Sequence, residues 1–203
     1  MIFSPDELTQ KERYKLATGS ILPRPIAWVS TMDKAGQLNL APFSYFTPVC
    51  TTPLTLLFCP GWSSARNRRK DTWLNVLEVP EFVINIVDEE TAVFMNKSAA
   101  EVERDVDEFA FAGVTPVPSE MISVPRVQEA PISFECTLQQ IVTINEGPGG
   151  GASIFGEVQR IHIRDDVYDD GYINLERLKP VGRLAGSNYA RMTDLFSIER
   201  VVP

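Results

Sequence analysis

Two strand-like segments joined by a short turn constrain the fold of this chain more than any other feature. Arg24-Pro25-Ile26-Ala27-Trp28-Val29-Ser30-Thr31 leads through Asp33-Lys34-Ala35-Gly36 to Asn39-Leu40-Ala41-Pro42-Phe43-Ser44-Tyr45-Phe46. Turn residues between two such runs specify a β-hairpin. Ile26 and Trp28 fall on one face of the first strand and Ala27 and Val29 on the other, so that strand is covered on both sides. Hydroxyl and amide groups set among these apolar residues are the composition expected where a flat, polar-edged ligand lies against a sheet.

The rest of the chain extends this β pattern. Residues 54–59 and 82–87 are also apolar on both phases, whereas Ile132, Phe134, Cys136 and Leu138 alternate with polar neighbours as in a strand with one wet face. Between 153 and 164 the alternation slips by one residue, which predicts a β-bulge near Gln159 and Arg160. Helical patterns are few. One runs from about 5 to 17, with Ser4 as N-cap, Pro5 at the first position and Glu7 completing a capping box. Others cover 72–78, capped near Asp71 or Thr72, and 89 to about 97, capped near Asp88. With no regular βαβ alternation, the prediction is a mainly β fold, a closed or nearly closed antiparallel β-barrel with helical appendages. Gly147-Pro148-Gly149-Gly150-Gly151 opens no helix and reads as a mobile loop, not a dinucleotide fingerprint. A length of 203 residues favours one domain, 1–203, with an N-terminal helix and a C-terminal extension.

Composition narrows the function classes. A net charge of -8 and a pI near 4.8 argue against nucleic acid, which needs a basic face. Cys50, Cys59 and Cys136 are odd in number and widely spaced, as reduced thiols are. There is no Cys-x-x-Cys and His162 is the only histidine, so no metal is expected. Neither a charged-then-apolar leader nor about 18 consecutive apolar residues occur, which predicts a soluble cytoplasmic protein without membrane contact.

Arg66, Arg68, Arg69 and Lys70 place four cations directly before Asp71 and Thr72. If a helix begins there, basic side chains, free amides and the Thr72 hydroxyl converge on a phosphate. By contrast, Glu101, Glu103, Asp105, Asp107 and Glu108 read as a solvated acidic face, and His162, between Arg160 and Arg164, as a surface histidine. Taken alone, Trp28 suits a core, Asn39 a turn cap and Ser44 a strand end.

Together, the hairpin, Lys70-Asp71-Thr72, Gly156-Glu157-Val158 and Arg183-Leu184-Ala185-Gly186-Ser187-Asn188-Tyr189 resemble the flavin reductase-like family, over residues 14–196. The resemblance implies an FMN-binding split β-barrel of Greek-key type. It implies that Trp28, Val29, Ser30 and Thr31 run along the isoalloxazine and ribityl, and that Asn39, Leu40, Ala41, Pro42, Phe43 and Ser44 meet the ring's polar edge. Lys70, Asp71 and Thr72 would hold the phosphate, with Arg66 and Cys59 as neighbours. Tyr189 would cover the nicotinamide side or anchor the C-terminal segment. Similar proteins are homodimers with flavin sites near the subunit interface. The implied activity is NAD(P)H-dependent reduction of FMN, with FAD also compatible and reduced flavin passed to an oxygenase or other acceptor. Hydride transfer between cofactors requires no nucleophile or acid/base pair, so no catalytic side chain is expected. The alternatives are a flavoredoxin-like, non-catalytic electron carrier and, less favoured, a pyridoxamine phosphate oxidase of related fold.

Overall fold

The computed structural model describes residues 1–201; the end of the expected C-terminal extension, residues 202 and 203, lies outside them. In chain order, α1 is Gln10–Ser20, β1 Ala27–Met32, β2 Leu38–Phe43, β3 Phe46–Thr51 and β4 Leu54–Phe58. Then come α2 Asp71–Glu78, β5 Glu81–Ile86, α3 Ala92–Lys97, α4 Glu108–Ala112, β6 Ile132–Asn145 and β7 Gly151–Ile163. These seven strands form one sheet in the order β2-β1-β5-β6-β7-β4-β3, each neighbouring pair antiparallel.

β2 and β3 are opposite edges of that sheet, yet only Ser44 and Tyr45 separate them in sequence. Three Cα steps span at most about 11 Å, so the sheet must curl until its edges approach. The result is a barrel with a seam between β2 and β3, the split barrel that the family resemblance implies.

Its interior holds Val29, Phe43, Phe58, Phe82, Ile84 and Ile154, joined by Trp73 and Val76 from α2. Phe82 packs edge-on against Phe58, with ring centroids 5.2 Å apart. Gly156 is required there, because a Cβ would lie 2.2 Å from the Phe82 ring. On the other side of β1, Ile26, Trp28 and Leu40 pack with Met95 of α3 and Phe109 of α4. The two-sided pattern of β1 thus reflects two distinct cores.

The hairpin pairs Ala27 with Phe43 through to Met32 with Leu38, and its turn is fixed by the Asp33 carboxylate accepting from the amides of Ala35 and Gln37. The bulge falls where predicted: Glu135 pairs with Arg160 and Cys136 with Val158, leaving Gln159 as the extra residue.

Three local predictions are corrected. The N-terminal capping box is Thr9 with Glu12, and Ser4 precedes only a short 3-10 turn over Pro5–Glu7 without a side-chain cap. The same Ser/Thr-x-x-Glu spacing occurs twice, and the second copy starts the longer helix. α2 has Lys70 as its N-cap, with no side-chain cap. α3 begins only at Ala92, because Asp88 and Thr91 bond each other's amides and form a turn first.

The glycine tract is also anchored: the Gly150 carbonyl accepts from the Trp62 amide at 2.9 Å. Gly151 approaches the Pro60 carbonyl too closely for a Cβ, at 2.9 Å. Among the described residues no helix is long and apolar enough to cross a membrane.

Candidate functional site

β2 is an edge strand, and its free side borders three connected cavities that all touch Pro42. The smallest, about 110 Å³, lies between β2 and the start of α2; Asn39, Ala41, Lys70 and Thr72 are among its walls. The largest, about 590 Å³, lies below α1 and is lined by Tyr14, Phe43, Ser44, Tyr45, Cys59 and Trp62. A third, about 170 Å³, opens between Ser44, Met95, Arg183 and Tyr189. Lys70 belongs to the first two and Ser44 to the last two, so the cavities adjoin as a groove along β2.

Asn39, Ala41, Pro42, Phe43, Ser44, Cys59, Arg66, Lys70, Asp71, Thr72 and Tyr189 all reach this groove. Trp28, Val29, Ser30, Thr31 and Leu40 do not: each is wholly buried. The Trp28 indole N–H donates to Ser98 at 2.8 Å, the Ser30 hydroxyl to the Pro125 carbonyl at 2.7 Å, and Thr31 accepts from Asn75 at 3.2 Å. β1 is covered on both faces and paired on both edges over Ala27–Ser30. Where β1 was expected to run along a bound ring, the structure places it behind β2, the strand that borders the groove.

At the small cavity, the four cations do not act alike. Arg66 and Arg68 each bond the Asp71 carboxylate at 2.9 Å, and Arg104 reaches it at 3.3 Å. Arg69 pairs with Glu146 and lies 4.9 Å over the Trp73 ring. Asp71 is thus the anchor of an arginine network, a role at odds with holding an anion itself. Among the described residues Lys70 is the one of the four cations that forms no ion pair. It sits at an α-helix N-terminus with no side-chain cap, where first-turn amides favour an anion. Thr72 accepts from the Asn39 side-chain amide at 3.0 Å, which leaves its own O–H available to donate.

Around the larger cavities, Ser44 accepts from Arg24 at 3.2 Å. Arg24 is buried and also donates to the carbonyls of Thr18, Ile21 and Leu184. It ties α1, the β2–β3 corner and the C-terminal segment together. The Cys59 sulfur lies 3.6 Å from the Ser153 hydroxyl. Tyr189 stacks under the Arg183 guanidinium at 4.6 Å and donates to Asn96 at 3.1 Å. Partial desolvation raises the Tyr45 phenol above its ordinary range.

Sequence reasoning missed two residues here. Glu108 is not on a solvated face: it lines the small cavity and accepts the Leu40 amide at 2.5 Å. Burial pushes its carboxyl up to about 7, only partly offset by the Leu40 hydrogen bond. Arg104, which bonds Asn75 at 3.1 Å as well as Asp71, gave no signal beyond its place in a charge-rich segment. Phe109, Ala112 and Val114 were the available clue for Glu108, since an apolar run directly after an acidic one buries its first turn. His162 is likewise not a free surface residue; it bonds the buried Glu135 at 2.5 Å. Burial alone would raise the Glu135 carboxyl, but the amides of Glu120 and Met121 together with His162 outweigh it and hold it low.

Comparison with known proteins agrees with this architecture. The flavin reductase like domain matches residues 18–180. The chain belongs to that family. It superposes on nitrilotriacetate monooxygenase component B from Bacillus cereus with a TM-score of 0.93 and 40% identity, over 98% of each chain. A 2-nitrobenzoate 2-nitroreductase of Pseudomonas fluorescens gives a TM-score of 0.86 at 31% identity, over 100% of this chain and 96% of that one. An uncharacterized protein of Halalkalibacterium halodurans is 39% identical over 98% of this chain and 96% of its own. In this flavin reductase-like protein, the groove runs beside β2 and Lys70.

Proposed function

We propose that the protein is an NAD(P)H-dependent flavin reductase that binds FMN and passes reduced flavin to an acceptor. The observation that carries this reading is the junction, at Pro42, of a phosphate-sized cradle with a larger cavity lined by Phe43, Tyr45 and Trp62. Such a junction suits a ligand with a compact anion at one end and a flat apolar body at the other. Lys70, the first-turn amides of α2 and the Thr72 hydroxyl would hold the phosphate, and the β2 edge from Asn39 to Ser44 would border the remainder. One free cation beside a cavity of about 110 Å³ favours a monophosphate, hence FMN over FAD.

A bound flavin supplies the hydride acceptor for NADH or NADPH. The chain's contribution is to bind and orient both partners and to keep water from the groove. Tyr189 and Arg183, which line the third opening, would receive the second, nicotinamide-bearing partner. The similarity to a monooxygenase component supports an oxygenase as the consumer of reduced flavin. Two copies are proposed to associate, and the chain is proposed to work in the cytoplasm.

The test is an anaerobic absorbance spectrum of the protein with FMN, before and after NADH and then NADPH. Prompt bleaching of the flavin band by either nucleotide is expected. Bound flavin that neither nucleotide reduces would replace the reductase with an electron carrier.

A further inference from the structure

The cradle that offers Lys70 to an anion also contains a carboxyl group. Glu108 stands at the first position of α4, directly after the Asp107 cap, and its side chain enters the small cavity instead of facing water. The reason is local. β2 is an edge strand, and the Leu40 amide, with no strand beyond it, is satisfied by Glu108 at 2.5 Å. Phe109 and Ala112 bury the inner face of α4 against Leu40 and Trp28, which holds the first turn against β2.

The charged groups facing Glu108 are of both signs. Lys70 and Asp71 stand at the start of α2, Arg66, Arg68 and Arg69 just before it, and Glu101 also lines the cavity, while Arg69 is held by Glu146. Asp71 occupies Arg66 and Arg68, and the Asp107 carboxylate is spent on the amides of Phe109 and Ala110. Glu108 therefore has one backbone donor and no ion pair among the described residues. Two anions in a low-dielectric cavity repel strongly, and one of them is favoured to take up a proton.

We propose that Glu108 is a specificity-determining residue of the anion cradle: as the neutral acid it admits a phosphate beside Lys70, and as the carboxylate it opposes one. This rests on the flavin reading of the groove. Binding of FMN is then coupled to proton uptake by Glu108, and affinity weakens as the solution becomes alkaline. Because burial already brings this group to about 7, the coupling operates near neutral pH. The phosphate of FMN itself loses its second proton near pH 6, so above pH 7.5 it contributes little to the effect. Riboflavin lacks the phosphate and serves as the internal control.

The experiment is calorimetric titration of wild type and Glu108→Gln with FMN and with riboflavin at pH 7.5, in two buffers of different ionisation enthalpy, and of affinity between pH 7 and 8.5. Wild type should take up a large fraction of a proton per FMN, and its affinity should fall about tenfold over that range, as expected when one proton is linked to binding. Glutamine keeps an acceptor for the Leu40 amide, and the variant should show neither uptake nor slope. Riboflavin should show neither with either protein. Wild type binding FMN without proton uptake overturns the proposal, a result that needs no variant. Equal slopes in wild type and Glu108→Gln overturn it as well. Absence of binding by both FMN and riboflavin removes the flavin reading and this proposal with it.

Discussion

β1 and β2 pair residue for residue along one hairpin, yet they do different work. β1 lies between β2 and β5, its side chains divided between two cores and its polar groups bonded to Ser98, Pro125 and Asn75. β2 has one free edge, and the groove, Lys70, Thr72 and Glu108 gather along it. Similar mixtures of apolar, hydroxyl and amide side chains thus fill the core in one strand and line a groove in its partner. What separates them is position in the sheet, since an interior strand has spent its backbone groups while an edge strand still offers them.

The largest effect should come from breaking the interior strand. Trp28→Ala removes a wholly buried ring and its bond to Ser98, and should destabilise the protein by about 3–5 kcal/mol, read as a lower denaturation midpoint. A loss of FMN affinity with unchanged stability would show instead that Trp28 touches the ligand and that the division between strands is wrong.

The edge strand carries a smaller cost of its own. Glu108 has its carboxyl raised from 4.5 to about 7, so the folded state binds a proton more tightly than the unfolded one. Its contribution is therefore greatest below pH 4.5 and is lost as pH rises through 7. Glu108→Gln, which cannot ionise, should gain about 3 kcal/mol on wild type between pH 4.5 and pH 8. Thermal melts of both proteins across that range check it, and parallel curves would mean that Glu108 does not titrate in the fold.

Thr72→Val should have the smallest effect, removing one hydroxyl from the cradle and one partner from Asn39. FMN affinity should fall by a factor of about 3–10, the worth of one hydrogen bond, measured by fluorescence titration. No change would remove Thr72 from the anion site.

How much of this was legible in the sequence follows the same division. The hairpin, the two-sided burial of β1 and the bulge at Gln159 could be read because period-two patterns report directly on which faces are covered. The barrel's seam could not: it depends on which strands become edges, a property of the whole sheet and not of any segment. For that reason Trp28–Thr31 and Asn39–Ser44 looked equally suited to a ligand. The basic run at Arg66–Lys70 does fall on the wall of the small cavity, but charge alone did not show that Asp71 and Glu146 would take up three of its four cations. Glu108 was hidden in an acidic stretch, because its burial depends on β2 crossing α4 from far away in sequence.

The central claim is that the free edge of β2 and the uncapped start of α2 form a cradle for a phosphate-bearing flavin. Its most direct test is the ratio of FMN to riboflavin affinity in wild type and in Lys70→Ala. Lys70 lies on no core, so the variant should keep its melting temperature. Wild type should prefer FMN, and the variant should lose about 10- to 100-fold of that preference, as expected for a charge-assisted bond to phosphate. An unchanged ratio would contradict the account, because the phosphate would then be bound elsewhere.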